Sequence, residues 1–285
     1  MGDIRDERLL NSIFNIGNNL PNRISGVIHL AGVKSVSESM INPLKYWDSN
    51  LIGTITLLKV MNKYKCRNIV FSSTATIYGV NDCKSLKENF KNNPINTYGE
   101  TKYSVEKMLN NIFKSDKENW QIINLRYFNP IGAHPSGLLG ENPKNKSENL
   151  FPILCEVASK KRKELIIYGN DWPTADGTCV RDYVHVMDIA EAHTKAIEYI
   201  LSSRGLFCTL NLGTGKATSV LQLLKIFENS NNLKIRFSFA EKRKGDVPYL
   251  CADASLAKKV INWTASKKIN EMCIDGWRSY KSNLK

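Results

Sequence analysis

No apolar run in this chain approaches the roughly 18 to 20 residues needed to span a bilayer. The opening MGDIRDERLLNSIF has neither the basic n-region nor the long apolar h-region of a signal peptide. A soluble, cytoplasmic protein with no membrane partner is expected. Cysteine is present but unorganised: the seven residues (Cys66, Cys83, Cys155, Cys179, Cys208, Cys251, Cys273) are odd in number and form no C-x-x-C pair. That argues against a disulfide framework or a zinc site and predicts reduced, half-buried fillers. The four histidines (His29, His134, His185, His193) form no H-x-x-x-H or His/Cys cluster, so metal catalysis has no support. The chain also has no internal repeat, and no G-x-x-G-x-x-G occurs anywhere in it.

What is there is an ordinary globular composition. The 285 residues are 42% hydrophobic and 24% charged, enough to bury one large core or two smaller ones, which excludes a disordered chain. Forty basic against 27 acidic side chains leave a net charge of +13, a balance that can favour polyanions. The lysines are spread through the whole chain, many in Lys/Asn-rich stretches such as KENFKNN at 87–93 and ENPKNKSEN at 141–149. The sharpest run, at 160–163, falls at the end of an expected helix, where cations complement the dipole. With no zinc-finger, RRM or helix-turn-helix signature, no nucleic-acid partner is expected.

Periodicity gives an alternation. RISGVIHLAG (23–32) reads as a short buried strand ending in a turn, and 43–63 as a helix with Pro43 in its first turn. RNIVFSSTATIYG (67–79) is a second buried strand running into small hydroxyl residues. The stretch 97–113 then puts Val105, Met108, Leu109 and Ile112 on one helical face. QIINLRYF (121–128) is a third strand, a helix follows at 148–160, and 206–215 reads as another strand before a helix at 218–229. Such alternation implies βαβ units and a doubly wound parallel sheet, an α/β, Rossmann-like fold. Beyond Asn129 the chain turns to Gly, Pro, Asp and Asn-rich loops. The expected division is therefore 1–129 and a smaller α/β lobe at 130–285, with about 206–230 returning to the first sheet.

In an open parallel sheet, ligands bind beyond the carboxyl ends of the strands. Ala31 and Gly32, then Ser72 to Thr74, then Phe128 and Asn129 occupy those positions. Tyr98 and Lys102 stand four residues apart at the start of a helix, on one face. A free phenol titrates near 10, and lowering that by about 3 units takes roughly 4 kcal/mol of preferential stabilisation of the phenolate. An ammonium one turn away supplies part of it and a second cation more. Thr74 could share a hydrogen bond with the same substrate oxygen. Tyr98 is then expected to be a general base poised near neutrality, suited to removing a proton from a secondary alcohol as hydride leaves its carbon. Alone, Y-x-x-x-K is a weak signal, since a helical tyrosine is usually an amphipathic packing residue.

Its company is more specific: VIHLAGVKSVSES and FSSTATIYG before or around it, RYFNPIGAHPSG and DGTCVRDYVHVMDIA after it. Together these resemble the UDP-glucose 4-epimerase (UDP-galactose 4-epimerase) family of the extended short-chain dehydrogenase/reductase superfamily, from Gly2 to about Trp277. The resemblance implies an NAD-binding domain at 1–129, a UDP-sugar-binding lobe at 130–285 and a homodimer. It implies Tyr98 as catalytic base, Lys102 on the nicotinamide ribose, and Thr74 in the Ser/Thr position of the triad. Asp3 and Ile4 would lie beside the adenine; Leu30, Ala31, Gly32 and Lys34 would line the cofactor, with Phe128 near the nicotinamide. Asn129, Asn149, Leu150, Tyr168, Arg181 and Arg243 would hold uridine and diphosphate, the arginines through paired donors. Leu250 would lie beside the sugar 2-substituent. The family reaction is an oxidation and re-reduction at sugar C4 with no net redox change. UDP-glucose and UDP-galactose are the implied substrates, and UDP-N-acetylhexosamines possible further ones.

The departures are a threonine at 74 where serine is common, a mild change that fixes the rotamer, Leu30 for Phe, and Glu148 for Asn. The missing glycine-rich turn matters more. It needs about 30 residues of βαβ, with the ribose acid roughly 20 beyond the glycines, so something like 50 residues of the family pattern are absent and Met1 stands at its third strand. NAD binding and turnover are expected only with that segment supplied. Two alternatives remain beside the epimerase: another NAD-dependent nucleotide-sugar enzyme, such as a dehydratase, and a non-catalytic fragment that only binds. An acidic pair in the triad loop would favour a dehydratase, and FSSTATIYG lacks it.

Overall fold

A computed structural model describes residues 2–18, 23–81, 84–141, 149–243 and 245–284. The chain opens with α1 (Glu7–Asn18), β1 (Val27–His29), α2 (Val36–Ile41) and α3 (Pro43–Tyr46), then α4 (Gly53–Lys63), β2 (Asn68–Thr74), α5 (Thr97–Ser115) and β3 (Gln121–Tyr127). It continues through β4 (Asn129–Ile131), α6 (Leu150–Ala158), β5 (Leu165–Tyr168), β6 (Val180–His185), α7 (Val186–Leu201) and β7 (Leu206–Leu212). The last elements are β8 (Ala217–Ser219), α8 (Val220–Asn231), β9 (Phe237–Ala240), β10 (Tyr249–Leu250), α9 (Ser255–Ile261) and α10 (Ile269–Ser282). Among the described residues no helix is long and apolar enough to cross a membrane.

The chain divides into two interleaved units. The first comprises Met1–Gly79, Phe90–Arg126 and His193–Leu210; the second comprises Val80–Asn89, Tyr127–Ala192 and Asn211–Lys285 and holds slightly more of the chain. No single boundary near 130 separates them. β7 joins the first sheet beside β3, whereas α8 belongs to the second unit.

In the first unit the strands lie in the order β1-β2-β3-β7, with β1 and β2 parallel and Val27 opposite Ile69. β2 and β3 are buried along nearly their whole length, polar residues included, as central strands covered on both faces are. Leu57, Leu58 and Met61 of α4, Ile69 and Phe71 of β2, and Val105 and Leu109 of α5 form the core, with Met108 and Ile112 packed at its edge. Asn96 caps α5 by accepting from the Gly99 amide at 2.9 Å, which fixes where the helix starts and so the height of Tyr98.

The helix expected over 43–63 is not continuous. Trp47–Ile52 forms a π-helical turn between α3 and α4. Such wide turns leave the repeat by one residue and re-aim the side chains they carry. The helix expected at 148–160 is α6; Glu148 and Cys83 lie outside the described residues. The other six cysteines are free thiols, and all but the half-buried Cys208 are buried.

In the second unit β6 is central: β10 and β4 flank it in parallel, and β8 pairs with it antiparallel. β5 and β9 form a separate parallel pair. Phe151, Leu154, Leu223, Phe227, Met272 and Trp277 make its core.

Gly79 closes the turn after β2 at φ +63°, and an added Cβ would overlap the Asn93 carbonyl oxygen. Gly79→Ala is therefore expected to cost about 2 kcal/mol or more, from the left-handed backbone and the clash with main chain. Thermal unfolding of the variant checks it: an unchanged midpoint would mean the turn relaxes freely.

Candidate active site

Three consecutive residues at the end of β2 each receive a side chain from α5. The Thr74 hydroxyl hydrogen-bonds the Tyr98 phenol. The Ser72 carbonyl accepts from Lys102 Nζ at 2.8 Å. Ser73 Oγ donates to Glu106 Oε1. This follows from helical spacing, since residues 98, 102 and 106 recur on one face every turn. Thr74, Tyr98 and Lys102 are thus brought together, as the spacing predicts.

Burial acts on both groups of the pair. Burial pushes the Tyr98 phenol up to about 12, and the Thr74 hydrogen bond only partly offsets it. Lys102 is itself 4% exposed, and burial pulls its ammonium down to about 8 against the pull of Glu106. Lys102 also sits 4.8 Å from the Phe71 ring centroid. In the chain by itself burial holds the phenol above its ordinary range, and Lys102 is committed to a backbone carbonyl.

Beyond β1, Leu30, Ala31, Gly32 and Lys34 form an exposed loop. A Cβ at Gly32 would stand 2.8 Å from Asn50 Oδ1 and 3.7 Å from Lys102 Nζ, so only glycine fits there. Asn50, carried on the π-helical turn and 2% exposed, clamps this loop. Its Oδ1 accepts from the Val33 amide at 2.8 Å, and its Nδ2 donates to Val33 O at 3.1 Å and Thr101 Oγ1 at 3.0 Å. Sequence reasoning missed Asn50, because a continuous 43–63 helix gives it no special direction. His29, below the loop, shares a 2.8 Å hydrogen bond with Thr54 Oγ1; burial, and then the Lys102 charge, hold its imidazole down at about 3.

Asp3 and Ile4 have partners of their own. Arg5 binds the Asp3 carboxylate through its backbone amide at 2.9 Å and its guanidinium, holding the carboxyl down at about 2. Arg5 also pairs with Asp48. Ile4 packs at the edge of the core against Gly53.

The remaining candidates lie in the second unit. Leu250 of β10 is paired in register with Arg181 of β6, and Asn129 of β4 with Tyr183, so these strands gather Asn129, Arg181 and Leu250 on one sheet. Arg181 Nη1 donates to Val180 O at 2.9 Å. Next to it Asp182 is fully buried and accepts from the Thr214 amide and hydroxyl at 2.8 and 2.6 Å, the Gly215 amide at 2.9 Å and the Ala252 amide at 3.1 Å. Burial still pushes its carboxyl up, against those hydrogen bonds. Arg243 stacks 4.6 Å over the Tyr168 ring while its Nε holds Asp246 at 3.0 Å. Asn149 caps α6 without a side-chain hydrogen bond and is exposed; Leu150 packs on the core. Phe128 is buried, its amide donating to Leu212 O at 3.1 Å.

Comparison with known proteins gives a consistent picture. The family described as GDP-mannose 4,6 dehydratase matches residues 1–275. A UDP-glucose 4-epimerase of Bacillus subtilis (strain 168) is 44% identical over 282 residues, 99% of this chain and 81% of the relative. A crystal structure of UDP-glucose 4-epimerase from Stenotrophomonas maltophila, with bound NAD and formylated UDP-arabinopyranose, matches with a TM-score of 0.94 at 39% identity, covering 99% of this chain and 82% of the other. That of the Bifidobacterium longum UDP-glucose 4-epimerase with NAD+ and UDP matches with a TM-score of 0.93 at 41% identity, over 99% and 82%.

Proposed function

Because the chain belongs to the UDP-glucose 4-epimerase family of the extended short-chain dehydrogenase/reductases, we propose that it interconverts UDP-glucose and UDP-galactose with NAD as cofactor. The observation that carries this reading is the meeting of Thr74, Tyr98 and Lys102 at the end of β2. The residues present fit a dinucleotide: the exposed backbone from Leu30 to Gly32 is open to close approach, and a buried ammonium stands behind it. NAD, when bound, supplies the hydride acceptor at sugar C4 and, as NADH, the donor that restores it.

The chain's own residues do the rest. Tyr98 takes the proton of the sugar 4-hydroxyl and returns it, so the phenol ends as it began. Thr74 holds the same oxygen through its hydroxyl, and Lys102 offers the ammonium that favours the phenolate. A second positive charge in the site is needed to bring the phenol down from about 12. Leu30, Ala31, Gly32 and Lys34, with Asp3, Ile4 and Phe128, are assigned to the cofactor. Asn129, Asn149, Leu150, Tyr168, Arg181 and Arg243 are assigned to UDP, where a planar guanidinium can grip phosphate oxygens with paired donors. Binding energy then rests on the nucleotide and leaves the hexose free to turn. A homodimer completes the proposal, and light scattering on the purified protein reads it directly.

The test follows UDP-galactose by proton NMR in the presence of NAD, using the chain both alone and joined to a strand and G-x-x-G-x-x-G turn. Equilibration with UDP-glucose in the joined form is the expected result. A 4-keto-6-deoxy product, or binding of UDP-sugar without any conversion, would overturn it.

Leu250 gives a specificity prediction. A residue of intermediate size beside the sugar 2-substituent should admit UDP-N-acetylglucosamine at a lower rate than UDP-glucose. Leu250→Tyr should abolish that activity by steric exclusion and keep the other. Equal rates on both sugars in the variant would remove Leu250 from the sugar site.

A further inference from the structure

Behind Lys102 lies a buried ion pair that the proposed chemistry does not use. Glu106 follows Lys102 by one helical turn on α5 and is 5% exposed; Arg126 on β3 is 3% exposed. Arg126 takes both carboxylate oxygens, Nε to Oε1 at 3.0 Å and Nη2 to Oε2 at 2.7 Å. Its Nη1 donates to Tyr78 OH at 2.9 Å, and the guanidinium stands 4.9 Å from the Tyr78 ring centroid. Ser73 adds its hydroxyl to Glu106 Oε1. The pair thus ties α5, β3, the end of β2 and the 3-10 turn Ala75–Tyr78 together directly below Thr74, Tyr98 and Lys102.

Stability alone does not call for such a pair. Taking two charges out of water costs several kcal/mol per ion, and well-packed apolar side chains of similar volume are often as stable or more so. Charge bookkeeping suggests what it is for. Glu106 without Arg126 would be a carboxylate held only by the Ser73 hydroxyl, one turn from a buried ammonium. The two would neutralise one another, and Lys102 would be drawn from Ser72 O. With Arg126 engaged, the Lys102, Glu106 and Arg126 cluster keeps one net positive charge.

We propose that Arg126 is a positioning residue for Lys102, acting through Glu106: by occupying both carboxylate oxygens it keeps Glu106 off the ammonium and leaves Lys102 on Ser72 O with its charge available to Tyr98. The proposal deepens the reading of Lys102 as the partner of Tyr98 and rests on it. The groups facing Lys102 are few. Glu106 and Tyr98 come from its own helix, neutral His29 from β1, the Phe71 ring and Ser72 carbonyl from β2, and the Asn50 amide beyond Gly32. Arg126 reaches it by way of the Glu106 carboxylate.

The test titrates Lys102 by NMR in the whole chain labelled with 13C at the lysine ε-carbon, assigned with Lys102→Met. The two halves of the pair should act in opposite directions. Arg126→Met should raise the Lys102 midpoint from about 8 by about one unit or more, because the freed carboxylate turns to the ammonium. Glu106→Gln should lower it by a comparable amount. Arg126→Lys, which keeps the charge but loses the two-pronged grip, should raise it by less and serves where the Met variant does not fold. Shifts of the same sign in both halves, or none beyond a few tenths in variants that fold, would overturn the proposal. No substrate or turnover enters the measurement. Opposed shifts in a protein that does not epimerise would therefore overturn the catalytic reading and leave the positioning role standing.

Discussion

Tyr98→Phe should lower turnover by about two to four orders of magnitude, the range that a positioned acid or base contributes. Affinity for the UDP-sugar should stay nearly unchanged. The ring and its packing between α5 and the end of β2 are retained, and only the oxygen that Thr74 contacts is lost. An interaction made chiefly in the transition state lowers kcat and kcat/KM together, so steady-state kinetics locate the effect in the chemical step. A variant that keeps most of its turnover would take Tyr98 out of the mechanism. One that loses affinity in proportion would make it a binding residue.

The largest loss of stability is expected at Asp182→Ala. The carboxylate serves the Thr214 amide and hydroxyl and the amides of Gly215 and Ala252, all within 3.1 Å and away from water. Removing it strands those donors, at about 3 to 5 kcal/mol, a large fraction of the stability of an ordinary domain. Asp182→Asn keeps one acceptor and turns an amide group toward donors, so it should fall between. Urea unfolding of the three proteins gives the order directly. A midpoint for the Ala variant equal to the parent would show that water replaces the carboxylate without cost. Because Asp182 adjoins Arg181, the Asn variant should also weaken UDP-sugar binding before it weakens turnover.

The alternation of short β-branched runs with amphipathic stretches was enough to read β1, β2, β3, β7 and α5: β2 and β3 are buried along most of their length and α5 along one stripe, whereas β1, with Ile28 exposed, is legible from its β-branched run alone. Thr74, Tyr98 and Lys102 were legible for the same reason: they sit at the end of a readable strand and on one face of a readable helix. What stayed hidden depends on long-range partners. Asn50 looks like any helical asparagine until the backbone widens at Trp47–Ile52 and turns it onto Val33. Arg126 reads as an ordinary strand residue until α5 brings Glu106 to it. Spacing reveals a lysine near Tyr98 but says nothing of how burial acts on the two groups, which raises the phenol and lowers the ammonium. Asp182 likewise becomes informative only once Thr214, Gly215 and Ala252 converge on it from distant stretches of chain.

The interleaving of the two units has a consequence for synthesis. The first unit draws its last segment, His193–Leu210, from beyond about half of the second, and with it the strand that pairs with β3. A ribosome adding about 5 to 20 residues per second delivers Arg126 several seconds before that strand. During the interval β3 has an open hydrogen-bonding edge, and neither unit can close before the other has begun. The nascent chain is then an exposed apolar sheet waiting for its fourth strand, the kind of surface that holding chaperones recognise. Slowing translation between residues 127 and 192 should therefore lower the soluble yield, whereas slowing it after residue 210 should have little effect on the first sheet.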